Sequence, residues 1–76
     1  MEQLDPNLRR DIKEDIRKLL KHRDDRIRED VAMLLGDIGD EEDISYLEEL
    51  MNNDENRNVV EAAMEAVEKI KMRLKR

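Results

Sequence analysis

Apolar residues recur along this chain at steps of three and four, the interval at which side chains return to one face of an α-helix. Leu8, Ile12, Ile16, Leu19 and Leu20 form the first such stripe. Asp5-Pro6 places a capping acid ahead of a proline that loses no needed donor at the first helical position. The spacing predicts a helix over 6–22. A second stripe, Ile27, Val31, Leu34, Leu35 and Ile38, predicts a helix over 26–38, with Asp24 or Asp25 placed to cap it and Gly39 expected to end it in left-handed geometry. Ile44, Leu47, Leu50 and Met51 mark a short third helix over 41–52. Asp40 stands at its N-cap, and Glu41, Glu42 and Asp43 complement the positive end of its dipole. The NNDEN cluster breaks that helix. Val59, Ala63, Ala66, Val67, Ile70 and Leu74 then draw a fourth over 57–75, opened by Asn58 in a capping box with Glu61 or by Asn56.

The stripes repeat. Shifted by 32 residues, Ile27, Glu29, Val31, Leu35 and Ile38 fall on Val59, Glu61, Ala63, Val67 and Ile70; shifted by 31, Ile16, Leu19 and Leu20 fall on Leu47, Leu50 and Met51. The expected fold is therefore all-α, with four antiparallel helices forming two helix pairs. Ile27-Arg28 after an Asp-rich turn, then Leu35-Gly36-Asp37-Ile38-Gly39-Asp40, then Leu47, Leu50 and Met51, resemble a HEAT repeat of the short, phycobilisome-lyase-like group. The resemblance is good over residues 24–54 and weaker over 57–70, where Val60 replaces the arginine and Glu68 the glycine. It implies a short α-solenoid and says little about function, because such modules serve many unrelated proteins.

Composition narrows the picture. At 76 residues the chain is expected to be one domain over 1–76, with a core of Leu, Ile, Val, Met and Ala, because aromatics are 1% of it and charged residues 47%. The absence of cysteine excludes thiol chemistry, disulfides and cysteine zinc sites. No apolar run spans a bilayer and no secretory leader is visible, so a cytoplasmic location is expected. The formal charge of −6 is unevenly spread: residues 29–68 carry one Lys/Arg against fourteen Asp/Glu, while both ends are basic.

Candidate chemistry is sparse. Residues 34–43, LLGDIGDEED, hold both glycines with three Asp and two Glu, and an EF-hand frame starting at Asp37 would put Glu48 at its twelfth position. Gly39 at the third position and Glu42 at the sixth break that frame, so the segment is read as a bend between helices and no metal or cofactor is expected. HEAT-like hydroxylases hold a di-iron site with His-Glu pairs, but His22 is followed by Arg23. His22 is expected to sit at the end of the first helix, where the local carbonyls favour an imidazolium. Ser45, the sole serine, suits a capping role, and no phosphate loop is present. The chain is read as non-enzymatic.

The candidate interaction surface is Arg10, Lys13, Arg17 and Lys21, together with Tyr46, Met33 and Met72. The four cations recur as a ridge expected opposite the apolar face of the first helix. Tyr46 is expected half in the core with its hydroxyl in water, and the two methionines fall off their stripes. The expected role is a protein-interaction or scaffold module, self-associating if the basic first helix meets the acidic second and third helices of another copy. Nucleic-acid binding through the ridge and the 69–76 tail is the alternative, as HEAT-like DNA-repair glycosylases do with basic concave surfaces. Glu14 interrupts the ridge and no stacking aromatics accompany it. The lack of Cys, Trp and Phe also suits a designed mini-protein, against which the irregular NNDEN turn and five Met argue.

Overall fold

The computed structural model describes the backbone of residues 6–75 and the side chains of 12–75. Four helices follow one another: α1 (Pro6–Lys18), continued by a 3₁₀ turn at Leu19–Lys21, α2 (Asp25–Ile38), α3 (Glu41–Asn53) and α4 (Arg57–Leu74). No strand occurs among the described residues. The boundaries lie within one residue of the expected ones, apart from the tightened last turn of the first helix. The cap expected from Asp5, and the roles of Leu8 and Arg10, lie outside the described residues and side chains.

The starts of α2, α3 and α4 are each fixed by a short polar side chain. Asp24 accepts the Arg26 N–H at 2.9 Å, and Asn56 accepts the N–H groups of Asn58 and Val59. Asn56, not Asn58, is thus the cap of α4. Asp40 and Asp43 form a capping box at α3. Residues 32 apart do the same work: the His22 Nδ1 accepts the Asp24 N–H at 3.0 Å, and the Asp54 Oδ1 accepts the Asn56 N–H at 2.8 Å. The repeat seen in the apolar stripes therefore extends to the turns.

The core is Leu20, Val31, Ala32, Leu35, Leu47, Leu50, Val59, Ala62, Ala63, Ala66, Val67 and Ile70, with Ile16, Ile27, Ile44 and Met51 packed against it. Most of the packing is α2 on α4 and α3 on α4. The expected stripes are too wide in places: Ile12, Leu19, Leu34, Ile38 and Leu74 are between 40% and 52% exposed. Alanine supplies the missing contacts, because α2 and α4 approach closely through small residues. A Cβ added to Gly36 would lie 2.8 Å from the Ala66 Cα, so glycine is required there by proximity to the neighbouring helix.

Gly39 corrects the expectation of a left-handed cap. Its φ is −80° and its ψ 169°, extended backbone that any residue adopts, and no described residue has positive φ. Glycine is needed for space: a Cβ would press on the Leu35 carbonyl oxygen and stand 2.8 Å from Asp43 Oδ2. The end of α2 is closed from another helix. The Arg73 guanidinium of α4 donates to the Gly36 carbonyl at 2.6 Å and the Gly39 carbonyl at 2.5 Å, supplying positive charge where α2 has no basic residue in its own last turn.

Candidate functional site

The basic ridge expected on α1 is divided by the fold. Lys13 and Arg17 turn toward α3 and lose most of their side-chain exposure, while Lys21 stays exposed. The Lys13 Nζ lies 3.0 Å from both Asp40 Oδ2 and Asp43 Oδ2. The Arg17 Nε donates to Asp43 Oδ1 at 2.7 Å and its second arm reaches Glu42 at 3.4 Å. The expectation of a ridge opposite the apolar face is corrected at these two positions: long cationic stems lie along the seam and deliver their charge to the start of α3.

Asp43 is the centre of this cluster. Its side chain is fully buried, accepts the Asp40 N–H at 2.9 Å, and meets both cations. Burial by itself would raise its pKa, but the Asp40 N–H bond, Arg17 and Lys13 together hold it below the usual carboxylate range. The same carboxylate pulls the other way on Lys13: burial disfavours its charge, and Asp43 and Asp40 outweigh that and raise its pKa. No buried polar side-chain atom among the described residues is left without a partner.

A second pair repeats the first. Arg28 donates from Nε to Asp54 Oδ2 at 2.7 Å, and from another arm to the His22 carbonyl at 2.7 Å. Burial would raise the Asp54 pKa, yet the bonds from Arg28 and the Asn56 N–H lower it. Arg17 with Asp43 and Arg28 with Asp54 are both separated by 26 residues. Both pairs are rungs between the helix pairs, and nothing in the sequence singled out their shared interval. The individual acids resembled surface caps and so gave no such signal.

These rungs leave a space. Among the described residues α1 makes little direct packing contact with α3, and an open groove of about 530 Å³ runs between α1 with its 3₁₀ turn and α3. Leu20, Leu50 and Tyr46 form its apolar part, and Glu14, Arg17, Lys18, Lys21, Glu49 and Asn53 its walls. The Arg17 guanidinium stands 4.7 Å above the Tyr46 ring, a cation–π contact that holds the ring on edge of the groove, 44% exposed. Of the candidate surface residues, the fold brings Arg17, Lys21 and Tyr46 to this groove. Lys13 stays beside it in the ion cluster, while Met33 and Met72 are exposed and do not line it.

The other sequence candidates take structural places. The Ser45 hydroxyl donates to the Glu42 carbonyl at 3.3 Å. His22 sits at the end of the 3₁₀ turn that continues α1, where its Nδ1 accepts the Asp24 N–H. In the bend at 34–43, Asp37 meets Lys69, Asp40 caps α3 and Asp43 is buried on its cations. Among the described residues no group of three or more His, Asp or Glu is arranged to hold a metal ion. None of the described helices is long and apolar enough to cross a membrane.

Paired helices, a repeat of about 32 residues and rungs between the pairs define the architecture, and a family model of HEAT repeats matches residues 3–68. The chain belongs to the HEAT-repeat family. HEAT repeats generally mediate protein–protein interaction. No curated protein and no solved structure matches this HEAT-repeat chain.

Proposed function

We propose that this chain is a small non-enzymatic interaction module that receives a partner protein in the groove between α1 and α3. The observation that carries the reading is the groove itself. Among the described residues α1 and α3 share little direct packing, and between their charged walls Tyr46 lies 44% exposed over the buried Leu20 and Leu50. Apolar surface rimmed by polar groups is the common form of a protein contact.

The nucleic-acid alternative has lost its strongest residues. Lys13 and Arg17 are neutralised by carboxylates of the same chain, and Arg73 and Lys69 of the basic tail are engaged at the end of α2. The charge argument for a homodimer weakens for the same reason, because basic α1 already meets acidic α3 within one molecule.

Affinity capture from the source cells tests the reading. Asn53→Trp places a large ring over the groove at an exposed position, and Glu65→Trp makes the same change at an exposed position on α4. A protein retained by the native chain and by Glu65→Trp, but lost with Asn53→Trp, is the expected result. Retention indifferent to Asn53→Trp overturns the assignment of the groove.

A further inference from the structure

The two rims of the groove differ in charge, and this deepens the reading above, on which it rests. On the α1 side the Arg17 charge is met by Asp43 and Glu42, while Lys21 has no ion pair among the described residues and Lys18 has only a loose one, 3.9 Å from the exposed Asp15. Glu14 offsets one of these two lysines, so the rim is net positive. On the α3 side Asp54 is neutralised by Arg28, and Glu49 has no ion pair among the described residues, so the rim is net negative. Between the rims lie Leu20, Tyr46 and Leu50.

The lining residues also have helical intervals. Glu14, Arg17, Lys18 and Lys21 on one wall, and Tyr46, Glu49, Leu50 and Asn53 on the other, each fall at i, i+3, i+4 and i+7. Seven residues of α-helix rise by about 10 Å, so the trough is about two helical turns long. A rod with an apolar stripe suits such a trough, since side chains at i, i+3, i+4 and i+7 reach its floor together.

We propose that the groove takes one amphipathic helix of a partner protein, about two turns long, with acidic residues on its flank toward α1 and Lys or Arg on its flank toward α3. Its stripe covers the exposed face of Tyr46 and the edges of Leu20 and Leu50 that reach the groove. Lys18 and Lys21 face the acids, and Glu49 faces the bases. Reversing the helix in the trough exchanges its flanks, so the mixed character of the flanks is the selected property and not their handedness.

Three stapled, fluorescently labelled peptides with one leucine stripe test this by anisotropy: one with a glutamate flank and a lysine flank, one with glutamate on both, one with lysine on both. The mixed peptide is expected to bind the native chain best, by about fivefold over either uniform peptide, the size that a few exposed pairs support. The double variant Lys18→Glu, Lys21→Glu is expected to move the preference to the all-lysine peptide, and Glu49→Lys to move it to the all-glutamate peptide. All three side chains are exposed, so these variants keep the fold, which circular dichroism verifies. Equal binding of the three peptides, or preferences that do not follow the variants, overturns the proposal while leaving the groove as a contact site. If none of the peptides binds, the proposal also falls, and the Asn53→Trp capture then decides separately whether the groove receives a protein at all.

Discussion

Asp43 shows how one side chain changes meaning between the chain and the fold. In sequence it is one of several acids at a helix start. In the structure it closes a capping box, is wholly buried, and anchors Lys13 and Arg17. Asp43→Asn keeps the shape but leaves two partly buried cations short of charge, and is expected to lower stability by about 3 kcal/mol, measured by urea unfolding. The pKa values of Asp43 and Asp54 are lowered by folding. Their contribution is therefore complete above the unfolded carboxylate pKa, and is lost as pH falls from about 4 through the lower folded values. Thermal melts are expected to show a steep loss of stability as pH falls below about 4, and a shallower loss in the Asp43→Asn, Asp54→Asn double variant. A double variant as acid-sensitive as the native chain would refute this origin of the effect.

Among the elements, α1 and the end of α2 are held by partners that their own sequences do not contain. Among the described residues the join between α1 and α3 rests on ion pairs with little direct packing, so salt acts there first. Amide exchange in α1 is expected to quicken in about 1 M salt, where screening reaches within about 3 Å, while α2 and α4 remain protected. The α2–α4 contact depends on space. Gly36→Leu drives a side chain into Ala66 and is expected to cost about 3 kcal/mol, because helix backbone must move to admit it. Arg73→Met removes the two carbonyl contacts at the end of α2, with an expected cost of about 2 kcal/mol read from the same unfolding curves.

Across the whole molecule, the interface between helix pairs is used once among the described residues. Its parts are Arg28 on Asp54, Gly36 against Ala66, and Lys13 and Arg17 on Asp43. Thirty-two residues beyond Arg28 and Gly36 stand Val60 and Glu68, and 32 residues before Asp54 stands His22. One copy stacked on another in this geometry therefore lacks the rung and meets glutamate where glycine is required. No open-ended, head-to-tail assembly is expected, and sedimentation at rising concentration checks this, since steady growth in mass would contradict it.

The sequence by itself determined the helices, the Asp40 cap of α3 and the pairing, because periodicity and short polar caps act through neighbours a few residues apart. It also contained the HEAT resemblance in Leu35-Gly36-Asp37-Ile38-Gly39-Asp40, which the family match over residues 3–68 supports. Only the tertiary structure decided which part of each stripe was buried, as Leu34 and Ile38 against Ala32 and Ala62 show. It likewise decided that Gly39 answers to crowding instead of left-handed backbone, and that Lys13, Arg17 and Arg73 serve other helices. Those outcomes depend on how near one rod lies to another, and contacts made across 26 to 37 residues leave no periodic trace in either partner.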